Sequence, residues 1–272
     1  MAEQRVSFST IEQTLLGAAN DGKKDITSPS PTSVALREAS TSLATARDNV
    51  YRLSAAAGLL CSLFLTAPHD ANGEEGCPER PSADDHPFWT EQSNEKDEIA
   101  KQMGRVFASL FTIAKDLQIS MVDVINRKIE LNARKYPVDL CKGKAGKYTK
   151  YSDQTGITAT NQVTTPTKRK DSDETIEGIT LLIRNFANER QWNRFHTPRN
   201  IALALIGEVG ELAELFQWKG DVGELSLSEE ELDKIGQEVA DCAIYLLRLA
   251  DVSHVCLGQV TIDVLDDARV TN

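Results

Sequence analysis

Two pairs of carboxylates in the second half of the chain have the residue types and the spacing of a cation site. Glu208 and Glu211 form one pair, and Glu238 and Asp241 form the other. Residues three apart on a helix are surface neighbours, so each pair projects from one helix face. Mostly apolar residues flank both pairs, and an unpaired carboxylate is costly in a packed segment. Two such helices predict a site for a hard divalent cation such as Mg²⁺. The competing interpretation is that each pair lies on a solvated face.

Aromatic and polar side chains border the two pairs. Trp192 and His196 precede the first pair, Trp218 follows it, and Tyr245 lies one turn past Asp241. Aromatic faces stack on nucleobases, and an imidazole can bond the edge of a base, so these residues predict a base pocket. The alternative is that both tryptophans belong to the core and that His196 is an ordinary loop histidine.

Helical periodicity dominates the elements that must position these residues. Ser228 and Glu231 form a capping-box pattern at the start of one helix. Proline and glycine interrupt residues 67–94, which we expect to form a mobile loop, and residues 152–172 are predicted to be a linker. The sequence therefore predicts an all-α protein. The predicted helices cover residues 33–66, 95–118, 120–135, 173–191, 198–218, 228–252 and 257–269.

The composition argues against several classes of partner. The formal net charge is −11 and the sequence pI is about 4.9, whereas nucleic acid binds clustered basic residues. The five cysteines show no CxxC spacing, which predicts free thiols in a reducing compartment. No apolar run reaches the ~18 residues of a membrane span, and the first residues lack a signal-peptide layout. We expect a soluble cytoplasmic protein that binds neither nucleic acid nor membrane.

From Phe186 to Leu249 the sequence resembles the dCTP pyrophosphatase branch of the MazG-like all-α nucleoside triphosphate pyrophosphatases. The motif ExxE…ExxD carries this resemblance, together with the long match FANERQWNRFHTPRNIALALIGEVGELAELFQWK and then QEVADCAIYLLRLA. The resemblance implies Mg²⁺-dependent hydrolysis of dCTP, or of a modified dCTP, to a monophosphate and pyrophosphate, in nucleotide-pool sanitation. It also implies a homo-oligomer, because family members assemble as dimers or tetramers.

Carried over by position, the resemblance assigns roles to individual residues. The four paired carboxylates would bind Mg²⁺. Glu211 and Glu214 would act in catalysis, with Glu214 helping to position the attacking water. The base pocket would be lined by Trp192, His196, Trp218 and Tyr245.

One element of the family is missing from the second half, a segment with a lysine, an asparagine and a basic tail after the second motif. The first half contains such a segment, with Lys128, Asn132 and Lys147 as the corresponding substrate-binding residues. We therefore predict a degenerate repeat at residues 1–151 and a repeat with the metal site at residues 173–272. These two four-helix-type repeats would form an intramolecular pseudo-dimer, and two chains would pair as a dimer of pseudo-dimers.

An alignment of the two halves predicts what replaced the lost ligands. Without gaps, Gln102 falls on Glu238 and Arg105 on the aspartate of the second pair, while residues 41–44 fall loosely on residues 210–213. The guanidinium of Arg105 would take the place of the lost cation. The first half would complete the active site of the second; the alternative is that it serves only as a scaffold.

Two functional alternatives stay open at this point. The loss of the basic segment from the second half is compatible with a catalytically weak nucleotide-binding or scaffold protein. The same chemistry on dUTP or a purine triphosphate is the other alternative, because a pocket selects its base through a few hydrogen bonds.

Overall fold

The computed structural model describes residues 5–20, 31–66, 94–144, 175–219 and 226–270. Three predictions lie outside these residues. They are the loop at residues 67–94, apart from its last residue, the linker at residues 152–172, and the substrate-binding role of Lys147.

Helices make up most of the described part of the chain, where no strand is present, and the all-α prediction is confirmed. A 3-10 turn at Asn193–Phe195 is the only other named element of these ranges. Across the described residues, no helix has both the length and the apolar character that crossing a membrane requires. The helices are α1 (Phe8–Asn20), α2 (Pro31–Thr66), α3 (Asn94–Asp116), α4 (Met121–Lys135), α5 (Val138–Cys141), α6 (Ile176–Glu189), α7 (Pro198–Glu214), α8 (Glu229–Val252) and α9 (Leu257–Val270).

Local capping explains where the two carboxylate-bearing helices begin. Thr197 caps α7 by accepting a hydrogen bond from the backbone of Asn200, and the predicted capping box of Ser228 and Glu231 is present at the start of α8. The sequence predicts that α7 extends to residue 218, but it ends at Glu214. Beyond that point the backbone tightens to hydrogen bonds between residues three apart, a common way for a helix to end.

Helix α1 is absent from the sequence prediction, because its stability depends on packing rather than on its own periodicity. Phe8 and Ile11 are buried. The ring of Phe8 lies 5.6 Å from that of Phe111 on α3, measured between centroids. Just before α1, the backbone oxygen of Val6 accepts from the N–H of Ile176 at 3.0 Å, which ties the start of the chain to α6.

The two halves of the chain share one core. Within each half, α2 packs on α3 and α7 packs on α8. The last long helix of each half then crosses to the other half, so that α4 packs on α8 and α9 packs on α3. Buried residues from all of these helices form a single hydrophobic cluster. The arrangement places α4, which carries the basic segment, directly against α8, which carries the second carboxylate pair.

The α3–α4 and α8–α9 connections have the same conformation. Gln118 and His254, which correspond in the gapless alignment, have positive φ values of 57° and 54°. In both connections the next backbone N–H donates back to the end of the preceding helix, at 2.7 and 2.9 Å. This correspondence supports the two-repeat organisation, which stays a prediction.

The structure favours a different register for α2 than the loose alignment of residues 41–44 with residues 210–213. Gln102 Nε2 donates to the backbone oxygen of Ala56 at 2.9 Å, so Ala56 lies beside Gln102, as Glu208 lies beside Glu238. Helix α2 is rich in alanine and leucine along its length, so its periodicity alone does not define a register. Two sets of buried residues share one spacing. They are Leu53, Ala57, Leu60 and Phe64 on α2, and Leu205, Val209 and Leu212 on α7 with Phe216 just after its end.

Gly104→Ala is expected to destabilise the protein by about 1 kcal/mol, because overpacking outweighs the gain in helix propensity. A Cβ at Gly104 would lie 2.8 Å from the backbone oxygen of Val260, where α9 crosses α3. Gly58→Ala is the matched control, since nothing lies within 4 Å of its Cβ position, and it is expected to stabilise by about 0.5 to 1 kcal/mol. Urea denaturation measures both values. If both substitutions changed the free energy of unfolding in the same direction, the close crossing of α9 and α3 would be contradicted.

Candidate active site

The two carboxylate pairs meet where α7 and α8 pack side by side. Carboxylate oxygens of Glu208, Glu211 and Glu238 lie within 4.8 Å of one another. Asp241, one turn along α8 from Glu238, interacts electrostatically with Glu208. The structure thus brings all four predicted ligands together, three as mutual neighbours and Asp241 beside them.

Burial and mutual repulsion disfavour this carboxylate cluster (Glu208, Glu211, Glu238 and Asp241) in its fully ionised form. Burial, and then the charges of the other three carboxylates, raises the pKa of Glu208 to about 7. Burial also raises the pKa values of Glu238 and Asp241. One carboxylate oxygen of Glu238, Oε2, is buried without a hydrogen-bond partner. A divalent cation would relieve both the repulsion and the unpaired oxygen, so these residues fit such an ion.

A cationic side chain from the N-terminal half reaches the carboxylate cluster. The Nζ atom of Lys128, on α4, lies 2.5 Å from Oδ2 of Asp241, and only 14% and 15% of the two side chains are exposed. The charge of Lys135, two turns further along α4, opposes the rise in the pKa values of Glu238 and Asp241. Helix α4 therefore supplies positive charge to a site whose carboxylates come from α7 and α8.

An aromatic wall next to the cluster also joins the two halves. The ring centroid of Trp192 lies 5.3 Å from that of Tyr136 and 5.8 Å from that of Phe186. The indole N–H of Trp192 donates to the backbone oxygen of Cys141 at 3.1 Å, and buried Arg190 donates to that of Tyr136 at 2.8 Å. Burial, and then the charge of Asp241, raises the pKa of Tyr136, which places this ring beside the cluster.

Comparison with known proteins shows which proteins this part of the chain resembles. No family model matches the chain. A stretch of 97 residues is 48% identical to dCTP pyrophosphatase 1 of Mus musculus, covering 35% of this chain and 57% of that protein. The predicted resemblance to the dCTP pyrophosphatases is confirmed. The Homo sapiens protein of the same name is 46% identical over 97 residues. The chain spans little more than half the length of the curated relatives it matches.

The residues that the dCTP pyrophosphatase resemblance assigns to a base pocket lie in different environments. Trp192 is half-buried in the aromatic wall, and the ring centroid of His196 lies 6.1 Å from its own. Tyr245 is half-buried on α8; burial, and then the charge of Glu208, raises its pKa well above the usual value, so it stays a neutral phenol. Trp218 lies beyond the end of α7 with 81% of its surface exposed.

Asn132 and Glu214 lie at the edges of this site. Asn132 is half-buried on α4, one turn after Lys128, and Glu214 is exposed at the end of α7, one turn after Glu211. Neither side chain makes a hydrogen bond with the part of the chain that the structure describes. The roles of both residues stay predictions.

The position that corresponds to Asp241 in the first half carries a partly exposed arginine. Arg105 donates to Gln102 Oε1 at 2.8 Å and pairs with Glu98 at 3.2 Å, with 47% of its side chain exposed. In the register that the Gln102 contact favours, Ala56 and Leu59 correspond to the two glutamates of α7. The described residues at this second position therefore offer no pair of carboxylates to a cation.

The sequence analysis missed a buried arginine behind His196. Arg248 on α8 is 5% exposed, and its Nε donates to His196 Nδ1 at 3.1 Å. Burial, and then the charge of Arg248, lowers the pKa of His196 to about 4. The sequence feature that could have identified Arg248 is its position inside the otherwise apolar run at residues 242–250. A charged residue in such a run needs partners. The contacts of Tyr136 and Arg190 were not predicted, because they join distant parts of the chain.

Glu208→Gln is expected to stabilise the metal-free protein at pH 8 by about 1 to 2 kcal/mol. The pKa of Glu208 rises from 4.5 to about 7 on folding, so the folded state binds more protons between these values, and stability falls as pH rises through this window. The full shift corresponds to about 3 kcal/mol, and screening by water at this half-buried side chain reduces it. Denaturation in the presence of a chelator, from about pH 4.5 to 8, measures the difference.

Glu214→Gln provides the control for this pH series, because the exposed Glu214 lies on the same helix outside the cluster. We expect it to follow the unmodified protein at every pH. A Glu208→Gln variant that is no more stable than the unmodified protein at pH 8 would contradict a charge penalty at this position.

Proposed function

We propose that this chain hydrolyses dCTP, or a modified dCTP, to dCMP and pyrophosphate with Mg²⁺ bound at the carboxylate cluster. The observation that carries the proposal is the close approach of Glu208, Glu211 and Glu238, with a buried oxygen left unpaired. The similarity to proteins named dCTP pyrophosphatase 1 supports the choice of substrate. In this proposal the protein acts in the cytoplasm and removes unwanted deoxynucleotides from the nucleotide pool.

The four carboxylates of the cluster would hold the cation. When bound, Mg²⁺ acts as a Lewis acid on a phosphoryl oxygen and lowers the pKa of a bound water. Glu208 and Glu238 are half-buried, whereas Glu211 is exposed, so Glu211 is the carboxylate that opens toward substrate. Glu214 continues this exposed face by one turn, which is where we place the residue that orients the attacking water.

Lys128 would bind the triphosphate while it stays paired with Asp241. A triphosphate approaching a group of carboxylates is repelled unless cations stand at the edge of the site. An ammonium group has three donors, so Lys128 can donate to a phosphate oxygen and to Asp241 at the same time. Lys135 adds charge to the same side of the site. We assign Asn132 and Lys147 to the sugar and phosphates on the strength of the resemblance alone.

The site in this proposal is built by both halves of the chain. Its carboxylates come from α7 and α8, while Lys128 and Tyr136 come from the N-terminal half. We infer that the first half lost its own ligands and kept the segment that completes the second, in an intramolecular pseudo-dimer. The homo-oligomer that we propose is a pair of these pseudo-dimers.

The base would lie against the aromatic wall. Trp192 and Tyr245 offer ring faces or edges, and His196 lies at the same wall. Trp218 would join them from solvent, since its exposed indole can stack on a bound base.

Product analysis with a panel of nucleoside triphosphates tests this function. The panel contains dCTP, 5-methyl-dCTP, dUTP, dTTP and ATP, each with Mg²⁺ and with a chelator. We expect dCMP and pyrophosphate in equal amounts from dCTP, and no products with the chelator. Release of inorganic phosphate and dCDP would overturn the assignment of the cleaved bond. A folded protein that hydrolyses nothing would overturn the proposal, and nucleotide binding in calorimetry would then favour the nucleotide-binding scaffold.

A further inference from the structure

The guanidinium of Arg248 contacts a different group with each of its nitrogens. Nε donates to His196 Nδ1 at 3.1 Å, one Nη donates to Asn193 Oδ1 at 2.8 Å, and the other pairs with Asp251. Asp251 also accepts from Arg184. Arg248 is buried, with only 5% of the residue exposed, and these partners hold its guanidinium in one orientation behind the imidazole.

This contact decides which nitrogen of His196 carries the proton. A guanidinium can only donate hydrogen bonds, so Nδ1 of His196 must accept and cannot be protonated. The proton of the neutral ring therefore lies on Nε2. The described residues provide no hydrogen-bond acceptor for this Nε2–H. His196 thus presents a fixed donor to whatever binds beside it.

His196 lies on the wall along which a bound nucleotide would extend. Its ring approaches Trp192, and Trp192 in turn packs edge-on against Tyr136, which borders the carboxylates. A nucleotide with its phosphates at the carboxylate cluster would place its base along these rings. The N–H of His196 would then face an edge of that base.

We propose that Arg248 is a positioning residue that sets base preference by holding His196 as an Nε2–H donor. This inference rests on the proposed function. Cytosine carries an acceptor at the ring nitrogen N3, whereas uracil and thymine carry an N–H there. The fixed donor matches the cytosine edge and opposes the N–H of the other two bases. A site built to make a hydrogen bond rejects the ligand that leaves its polar group unpaired.

The first arm of the test is NMR of intact protein with ¹⁵N-labelled histidine. The unmodified protein is expected to show a neutral His196 with the proton on Nε2 from about pH 5.5 to 8, which is unusual for a residue whose ordinary pKa is about 6.5. His196→Gln assigns the signals. In Arg248→Met the ring loses its donor, so we expect a mixture of tautomers and a pKa closer to the ordinary value.

The second arm compares kcat/KM for dCTP and dUTP. Arg248→Met is expected to lower the preference for dCTP about tenfold, the effect of one lost hydrogen bond of ordinary strength. Arg248→Lys keeps the charge and a donor, and it is expected to restore part of the preference. Arg184→Met is the matched control: it also removes a cation from Asp251 but does not touch His196, so tautomer and preference should stay unchanged.

Several results would overturn the inference. One is an NMR spectrum of the unmodified protein in which His196 is charged at pH 7 or protonated on Nδ1. This measurement does not depend on whether a variant folds. Another is a folded Arg248→Met protein whose tautomer changes but whose base preference does not. If Arg184→Met and Arg248→Met changed the tautomer and the base preference equally, the cause would be the loss of a cation from Asp251 instead. If no triphosphate is hydrolysed, the proposed function and the base preference fail together, while the NMR spectra alone decide whether Arg248 positions His196.

Discussion

Glu211→Gln is expected to reduce pyrophosphate release from dCTP about 10³-fold. Glu211 offers an oxygen within 4.8 Å of those of Glu208 and Glu238 and is the exposed member of the three. Glutamine has nearly the same shape but removes one negative charge and one acceptor from the site that would hold Mg²⁺. The loss of about 4 kcal/mol of transition-state stabilisation corresponds to this factor.

Cation binding gives this prediction a second measurement that does not depend on turnover. A ligand that binds only the folded state raises the unfolding temperature, so Mg²⁺ should stabilise the unmodified protein and should stabilise Glu211→Gln much less. Glu229→Gln makes the same charge change in the first turn of α8, away from the cluster, and should behave like the unmodified protein in both assays. Activity of Glu211→Gln within about threefold of the unmodified protein would rule out the carboxylate cluster as the reaction centre.

Lys128→Met is expected to reduce kcat/KM for dCTP about 10²-fold, the usual effect of removing one preorganised donor from a charged transition state. The Nζ of Lys128 is the cation that the structure places 2.5 Å from Asp241, inside a group of carboxylates that a triphosphate must approach. Methionine preserves the length and the apolar stem of the side chain but removes the charge and all three donors.

The adjacent Arg127 offers a matched control on the same helix. Its guanidinium pairs with Asp233, and both side chains are well exposed, at 61% and 39%. Arg127→Met removes the same charge from α4 and is expected to leave kcat/KM within about twofold, as is usual for an exposed ion pair. Steady-state kinetics, with thermal unfolding to verify folding, compares the two variants. Equal kinetics for both would mean that the N-terminal half is a scaffold and does not complete the site.

The dCTP pyrophosphatase resemblance and the carboxylate spacing are predictable from sequence because both are local. A helix repeats every 3.6 residues, so Glu208 must lie on the same face as Glu211, and Glu238 on the same face as Asp241. The cap at Ser228 depends on residues three apart, and the structure contains it as predicted. The all-α fold follows from the same periodicity, summed over long segments.

Other features depend on which helices pack together, and local periodicity does not contain that information. Helix α2 is so uniformly apolar that its register against α3 becomes clear only from the contact of Gln102 with Ala56. Helix α1 is stable because Phe8 packs on Phe111, far away in sequence. Trp218 follows the acidic motif in sequence, but α7 ends before it and leaves it in solvent.

The sequence by itself determined the kinds of chemistry that this protein can carry, through the acidic pairs, the aromatic residues and the dCTP pyrophosphatase match. Only the tertiary structure decided how these groups act on one another. Lys128 reaches Asp241 because α4 crosses to α8, and Arg248 donates to His196 because α8 passes behind the turn before α7. The physical reason is that helix geometry sets the direction of a side chain within one element, whereas pKa values, pairing and tautomers depend on charges brought within a few ångströms by packing.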